Sequence, residues 1–153
     1  MSKPQRSHAR EVPLAVTHQV RDACLCLHVQ RAARALARRF DEVLRPLELT
    51  NGQFSLLMSL NRPEPPSIGS VAALLAMDRT TLTAALKPIE RRGLVKVSVH
   101  KEDKRSRRLT ITASGRALLT KAFPLWQRAH ADTERLITAC TPDDMRSALR
   151  ALS

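Results

Sequence analysis

Arg79, Thr80, Thr81, Thr83 and Lys87 stand together in a stretch whose apolar residues, Leu82, Leu86 and Ile89, recur at helical spacing. A helix built this way offers hydroxyl, guanidinium and ammonium groups on one face and a core-seeking stripe on the other. Such donors suit the base edges of a major groove and the phosphates that flank it. A second cationic set, Lys101, Lys104, Arg105, Arg107 and Arg108, follows shortly after and reads as a loop, a form that suits phosphates or a minor groove. Between residues 78 and 108 the acids are only Asp78, Glu90, Glu102 and Asp103.

The neighbouring residues must position these groups. Asp78 is an N-cap for the polar helix, and Gly93 ends it in the left-handed conformation that glycine adopts freely. Leu94, Val95, Val97 and Val99 then predict a short strand, Leu109 and Ile111 a second, and the basic residues fall between them. Upstream, Ser67 caps a short helix holding Ile68, Val71, Leu74 and Leu75, and only a very short connection separates it from Asp78. Two helices joined so tightly and followed by a hairpin are the parts of a winged helix-turn-helix. The expected fold is therefore mainly α with a small β-hairpin wing.

Longer helices flank this lobe. From about Thr17 to Arg45, Val20, Cys24, Leu27, Leu36 and Phe40 predict one long amphipathic helix that Pro46 ends. Thr50 with Gln53 fits a capping box before Phe54, Leu57 and Leu60, and the run from Asn61 to Ser67 is a rigid proline turn. A second long helix runs from Thr112 to about Ala139, with Pro124 inside it and expected to bend it. Pro88 likewise predicts a local bend late in the polar helix. Thr141, Pro142, Asp143 and Asp144 start a last short helix with Met145, Leu149 and Leu152. The long helices carry more apolar surface than one winged unit covers, which points to dimerisation. Residues 1–15 read as a flexible N-terminal arm and 16–153 as a single domain. Its DNA-binding lobe spans about 50–112, and its dimerisation elements about 17–45 and 113–153.

Composition agrees with a polyanionic partner. The 153 residues hold 26 Lys and Arg against 14 Asp and Glu, a net charge of +12, while hydrophobic residues make up an ordinary 43%. Tyr is absent and aromatics are 3%, so the stacking platform used for single strands is missing and duplex DNA is the better fit. No apolar run approaches the roughly 18 residues of a membrane span, and no secretory leader is evident, so the expected location is cytoplasmic without membrane association. Cys24, Cys26 and Cys140 form neither an even disulfide framework nor zinc-site spacing.

The order of parts, with LTNGQFSLL at 49–57, RTTLTAALKPIERRGLV at 79–95 and DKRSRRLTITASG at 103–115, resembles the MarR (multiple antibiotic resistance regulator) family of bacterial transcriptional regulators over roughly residues 17–153. The resemblance implies a homodimer on an operator duplex, released by a small-molecule or oxidant effector. The effector would lie between the first long helix, the helix from Thr50, and the bent helix around Pro124 to Trp126. It implies further that Arg105 enters the minor groove while Asp103 holds its guanidinium, matching the Asp-x-Arg typical of the family's wing. Arg79, Thr80, Thr81, Thr83 and Lys87, with Lys104 and Arg107, would supply the other DNA contacts. The first helix resembles that of the organic-hydroperoxide-sensing repressors, whose reactive cysteine aligns without gaps with Cys26. Those sensors hold their thiolate with tyrosines, where this chain has Phe40 and Asn51. Arg21, His28 and Arg31 are the local cations available to Cys26. The other reading of Cys26 is a buried structural thiol.

No cofactor is implied. Cys24 and His28 share a helix face, but two ligands do not make a metal site. No nucleophile-base spacing, Gly-rich phosphate loop or carboxylate pair predicts an enzyme. Two other readings stay open: a nucleoid-type architectural protein without effector or sequence choice, and a winged module that binds protein.

Overall fold

The computed structural model describes residues 11–99 and 107–153. The chain divides into two compact units, one ending at Leu36 and one beginning at Ala37.

The first unit holds α1 (Leu14–Ala23) and the opening turns of α2 (Leu25–Leu44). The single long helix expected here is two helices, divided at Cys24, whose ψ of 106° is extended. Periodicity runs straight through this break because no Gly, Pro or usual capping residue marks it. The Cys24 thiol accepts the Leu27 amide at 3.5 Å, and the His28 amide reaches the Cys24 carbonyl at 3.1 Å, so α2 restarts on Cys24 itself. None of the described residues up to Leu36 is buried, and Leu14, Val16, Val20, Leu25, Val29 and Leu36 stand exposed.

The second unit contains the core. Phe40 and Leu44 bury the end of α2, and a 3-10 turn (Arg45–Leu47) built on Pro46 redirects the chain. Helix α3 (Asn51–Ser59) opens with the expected capping box: Thr50 Oγ1 accepts the Gln53 amide, and the Gln53 side chain accepts the Thr50 amide. Helix α4 (Ile68–Leu74) is capped by Ser67, which accepts the Ser70 amide. Leu75, Ala76 and Met77 join it to α5 (Arg79–Arg91), with Ala76 left-handed at φ 51°. Leu44, Leu57, Val71, Leu82 and Ile89 are wholly buried, so α3, α4 and α5 share one core.

Gly93, at φ 67°, closes α5; its amide meets the Glu90 carbonyl, and the Leu94 amide meets that of Ile89. Strand β1 (Val95–Val99) pairs antiparallel with β2 (Arg107–Ile111) in the register Val95 to Ile111 and Val97 to Leu109. Arg107 and Arg108 belong to β2, not to the loop, because they pair with Val99 and Ser98 of β1. The end of the proline turn adds a third edge: Ser67 bridges Arg108, and the Leu109 amide donates to the Pro66 carbonyl at 2.9 Å.

Helix α6 (Ala113–Glu134) starts hard against this hairpin. Thr112 Oγ1 accepts the Gly115 amide at 3.1 Å and donates to the Gly93 carbonyl at 2.7 Å. Gly115 sits so close that a Cβ there would lie 2.3 Å from the Leu94 carbonyl oxygen. The helix runs on through Pro124 and ends at Glu134, several residues before the expected Ala139, in a turn where Leu136 and Ile137 reach back to Thr133 and Glu134. Helix α5 likewise continues past Pro88 to Arg91. Helix α7 (Pro142–Arg150) has the expected start, with Thr141 and Asp144 forming a capping box, and its Met145 and Leu149 are exposed.

Candidate nucleic-acid interface

Helix α5 divides its residues as its sequence demands. Leu82, Leu86 and Ile89 are buried, whereas Arg79, Thr80, Thr81, Thr83 and Lys87 are all exposed on the outer face. The Asp78 side chain accepts the Thr81 amide at 2.8 Å and the Thr81 hydroxyl at 2.5 Å. These bonds, the Thr81 hydroxyl first, hold the Asp78 carboxyl below the usual carboxylate range, so it stays ionised at the positive end of α5. The Thr83 hydroxyl donates to the Arg79 carbonyl at 2.7 Å. The protons of Thr81 and Thr83 are thus engaged within the helix, and both oxygens face outward as acceptors. Thr80, Arg79 and Lys87 keep donors for a partner.

Arg107 is exposed at the start of β2, opposite Val99. Asp103, Lys104 and Arg105, together with Lys101, lie outside the described residues. Gly69 was not singled out by its sequence context. The Arg79 guanidinium lies across it, with Nη2 3.2 Å from where a Cβ would stand, so the first residue of α5 rests on the first turn of α4. An isolated Gly inside a short helical pattern was the available signal.

The second unit also holds an apolar cleft of about 460 Å³ lined by Phe54, Met58, Leu74, Leu75, Phe123 and Trp126. Phe54 and Phe123 each stack against Trp126 with ring centroids 6.0 Å apart. The lining comes from α3, the end of α4 and α6, and two of these, α3 and the stretch of α6 around Pro124 to Trp126, are among the helices expected to hold an effector. The periodic Leu74 and Leu75 read as core, and only their position at the helix end leaves them facing the cleft.

Around Cys26 two of the three expected cations turn elsewhere. Arg21 pairs with Asp22 at 2.6 Å, and the His28 ring contacts the Asp22 carbonyl oxygen at 3.1 Å. Cys26 is exposed on the single chain, and its thiol accepts the Gln30 side-chain amide at 3.1 Å.

A helix pair with a short turn, a hairpin wing and an outward polar face on the second helix define the winged helix-turn-helix class. The family model for the MarR family matches residues 49–106. The HTH-type transcriptional regulator TtmR of Methylorubrum extorquens is 34% identical over 86% of this chain and 65% of its own length, so the chain spans just under two thirds of that relative. The organic hydroperoxide resistance transcriptional regulator of Bacillus subtilis is 29% identical over 66% of this chain and 69% of that protein. The solved structure of the M. tuberculosis transcriptional regulator MosR in complex with DNA matches with a TM-score of 0.75 and 38% identity, covering 84% of this chain and 92% of that one. The chain belongs to the MarR family of transcriptional regulators. Among the described residues, no helix is long and apolar enough to cross a membrane.

Proposed function

We propose that the protein is a homodimeric, sequence-specific regulator of transcription that binds duplex DNA in the cytoplasm, a repressor whose grip an effector releases. One observation carries this reading: α5 buries its whole apolar stripe and turns Arg79, Thr80, Thr81, Thr83 and Lys87 outward together. MosR, which shares the fold at 38% identity, is a transcriptional regulator solved with DNA, and this supports the same partner here. By family resemblance Arg105 enters the minor groove with Asp103 orienting it, and Lys104 and Arg107 hold phosphates.

The exposed apolar residues of α1, and separately those of α7, support a two-fold dimer. Symmetry then sets two copies of α5 about 10 base pairs apart. The cleft between Phe54 and Trp126 suits a flat apolar effector, which acts only by binding one spacing of the two α5 helices better than the other. Residues 50–112 for DNA and the flanking helices for association are the corresponding division of labour.

The test is competition between a duplex from the gene's own upstream region and a random duplex of equal length. A regulator prefers the first by at least about 10³ at moderate salt, whereas a coating protein of the nucleoid type shows a ratio near one and a steep salt dependence. A ratio near one would replace this reading with the architectural one, which the net charge of +12 favours. Arg105→Ala is expected to weaken upstream-duplex binding by roughly 1–3 kcal/mol, and unchanged affinity removes the wing from the mechanism.

A further inference from the structure

A second cleft of about 470 Å³ opens where the proline turn, the first turn of α4 and β2 meet, with Arg62, Glu64, Pro65, Ser70 and Arg108 among its walls. Its two guanidinium groups are held in place by the fold itself. Arg62 Nε donates to the Ser59 carbonyl at 3.0 Å, and Arg108 Nη1 donates to the Pro65 carbonyl at 3.3 Å. A guanidinium has five N–H donors in a rigid fork, so each retains several that these carbonyls do not use. Among the described residues, no carboxylate comes within 4.0 Å of Arg62, Arg108 or Arg79. Two pre-oriented cations that no described carboxylate approaches within 4.0 Å, Glu64 of the cleft wall included, are a poor stabilising device for the fold and can receive a tetrahedral oxyanion.

The cleft is also continuous with α5. Ser70 follows Gly69, and Gly69 carries the Arg79 guanidinium across its face. A duplex lying on α5 therefore has its sugar-phosphate strand beside the first turn of α4, within reach of the cleft.

We propose that this cleft is a backbone-phosphate site, in which Arg62 and Arg108 hold the strand that borders the groove read by α5. The proposal rests on the duplex-binding reading and gives these two arginines a role of their own within it. They fix the position of the helix on DNA and read no base. Gly69 is part of the same arrangement, since its missing side chain lets Arg79 lie flat between the two sites.

The test uses the full-length protein and measures affinity for the upstream and random duplexes across a range of salt concentrations. Arg62→Gln combined with Arg108→Gln is expected to weaken both duplexes about equally, by tenfold or more, and to lower the slope of log K against log salt by about 2. The preference for the upstream duplex stays as it was. Arg108→Lys, which loses the Nη1 bond to the Pro65 carbonyl but keeps the charge, is expected to recover most of the slope, an outcome that a purely structural arginine would not give. Arg62→Gln alone leaves β2 untouched and is expected to lower the slope by about 1. A wild-type slope in both the double and the Arg62 variants overturns the phosphate site while leaving the duplex-binding reading intact. Failure of the wild type to bind either duplex at low salt overturns both.

Discussion

The indole of Trp126 stacks on the imidazole of His130, with centroids 4.6 Å apart and planes 29° from parallel. His130 Nδ1 lies 3.8 Å from Glu134, and Glu134 binds Arg146 of α7 at 2.6 Å. One wall of the apolar cleft is thereby backed by a chain of contacts that ends on the last helix. Trp126 is the one tryptophan of the sequence, so its emission reports on the cleft alone. A naphthalene carboxylate probe is expected to change that emission saturably. Phe123→Ala removes a stacked partner and half-opens the wall, and is expected to weaken the probe by about tenfold. Equal affinity in the variant would place the probe elsewhere.

Asp78 gives a prediction with a definite sign. Its folded carboxyl is held below the usual range by Thr81, so its contribution is present above the unfolded value of about 3.9 and is lost as pH falls through the depressed folded value. Asp78→Ala is expected to lower Tm by about 2–4 °C at neutral pH, and Asp78→Asn by less. As pH falls through the depressed folded value, the gap between wild type and Asp78→Ala narrows. A gap that persists in acid would mean that Asp78 acts by packing and not by charge.

Two glycines that look alike in sequence are expected to behave differently. At Gly93 only the φ of 67° resists a side chain, and nothing lies within 4 Å of an added Cβ, so Gly93→Ala costs about 1–2 kcal/mol. At Gly115 a Cβ meets the Leu94 carbonyl oxygen at 2.3 Å and Ile111 Cγ1 at 2.7 Å, so Gly115→Ala costs roughly 3 kcal/mol or more. Urea melts of the two variants rank them directly, and the reverse order would contradict the packing of α6 on the hairpin.

Cys26 is exposed with one amide donor, from Gln30, and no cation directed at it among the described residues. If the thiol is the oxidant sensor, Cys26→Ser binds the upstream duplex as the wild type does and no longer releases it in peroxide. A wild-type complex that ignores organic hydroperoxide assigns Cys26 to structure.

Local chemistry explains which elements were legible. The caps at Thr50, Ser67, Asp78 and Thr141 each bond an amide three residues on, so the sequence contains both partners side by side. Gly93 is the same kind of signal. The break at Cys24 was illegible because the side chain that bonds the Leu27 amide is a thiol, not one of the usual capping residues, and the apolar spacing continues across it. The third sheet edge needs Ser67 beside Arg108, which a proline turn gives no hint of. The arginines at 107 and 108 read as loop for the same reason: charge suggested a tip, while strand pairing with Val99 and Ser98 decided otherwise. At the interface, the outward set on α5 followed from a 3.6-residue period. The cleft of Arg62 and Arg108 joins residues far apart in the chain and had no period to betray it.

A single hydroxyl, that of Thr112, touches the end of one helix through the Gly93 carbonyl and the start of another through the Gly115 amide. It works as a pivot pin. The start of α6, a helix that forms a wall of the apolar cleft, is thereby tied directly to the tail of α5 and to the root of the hairpin.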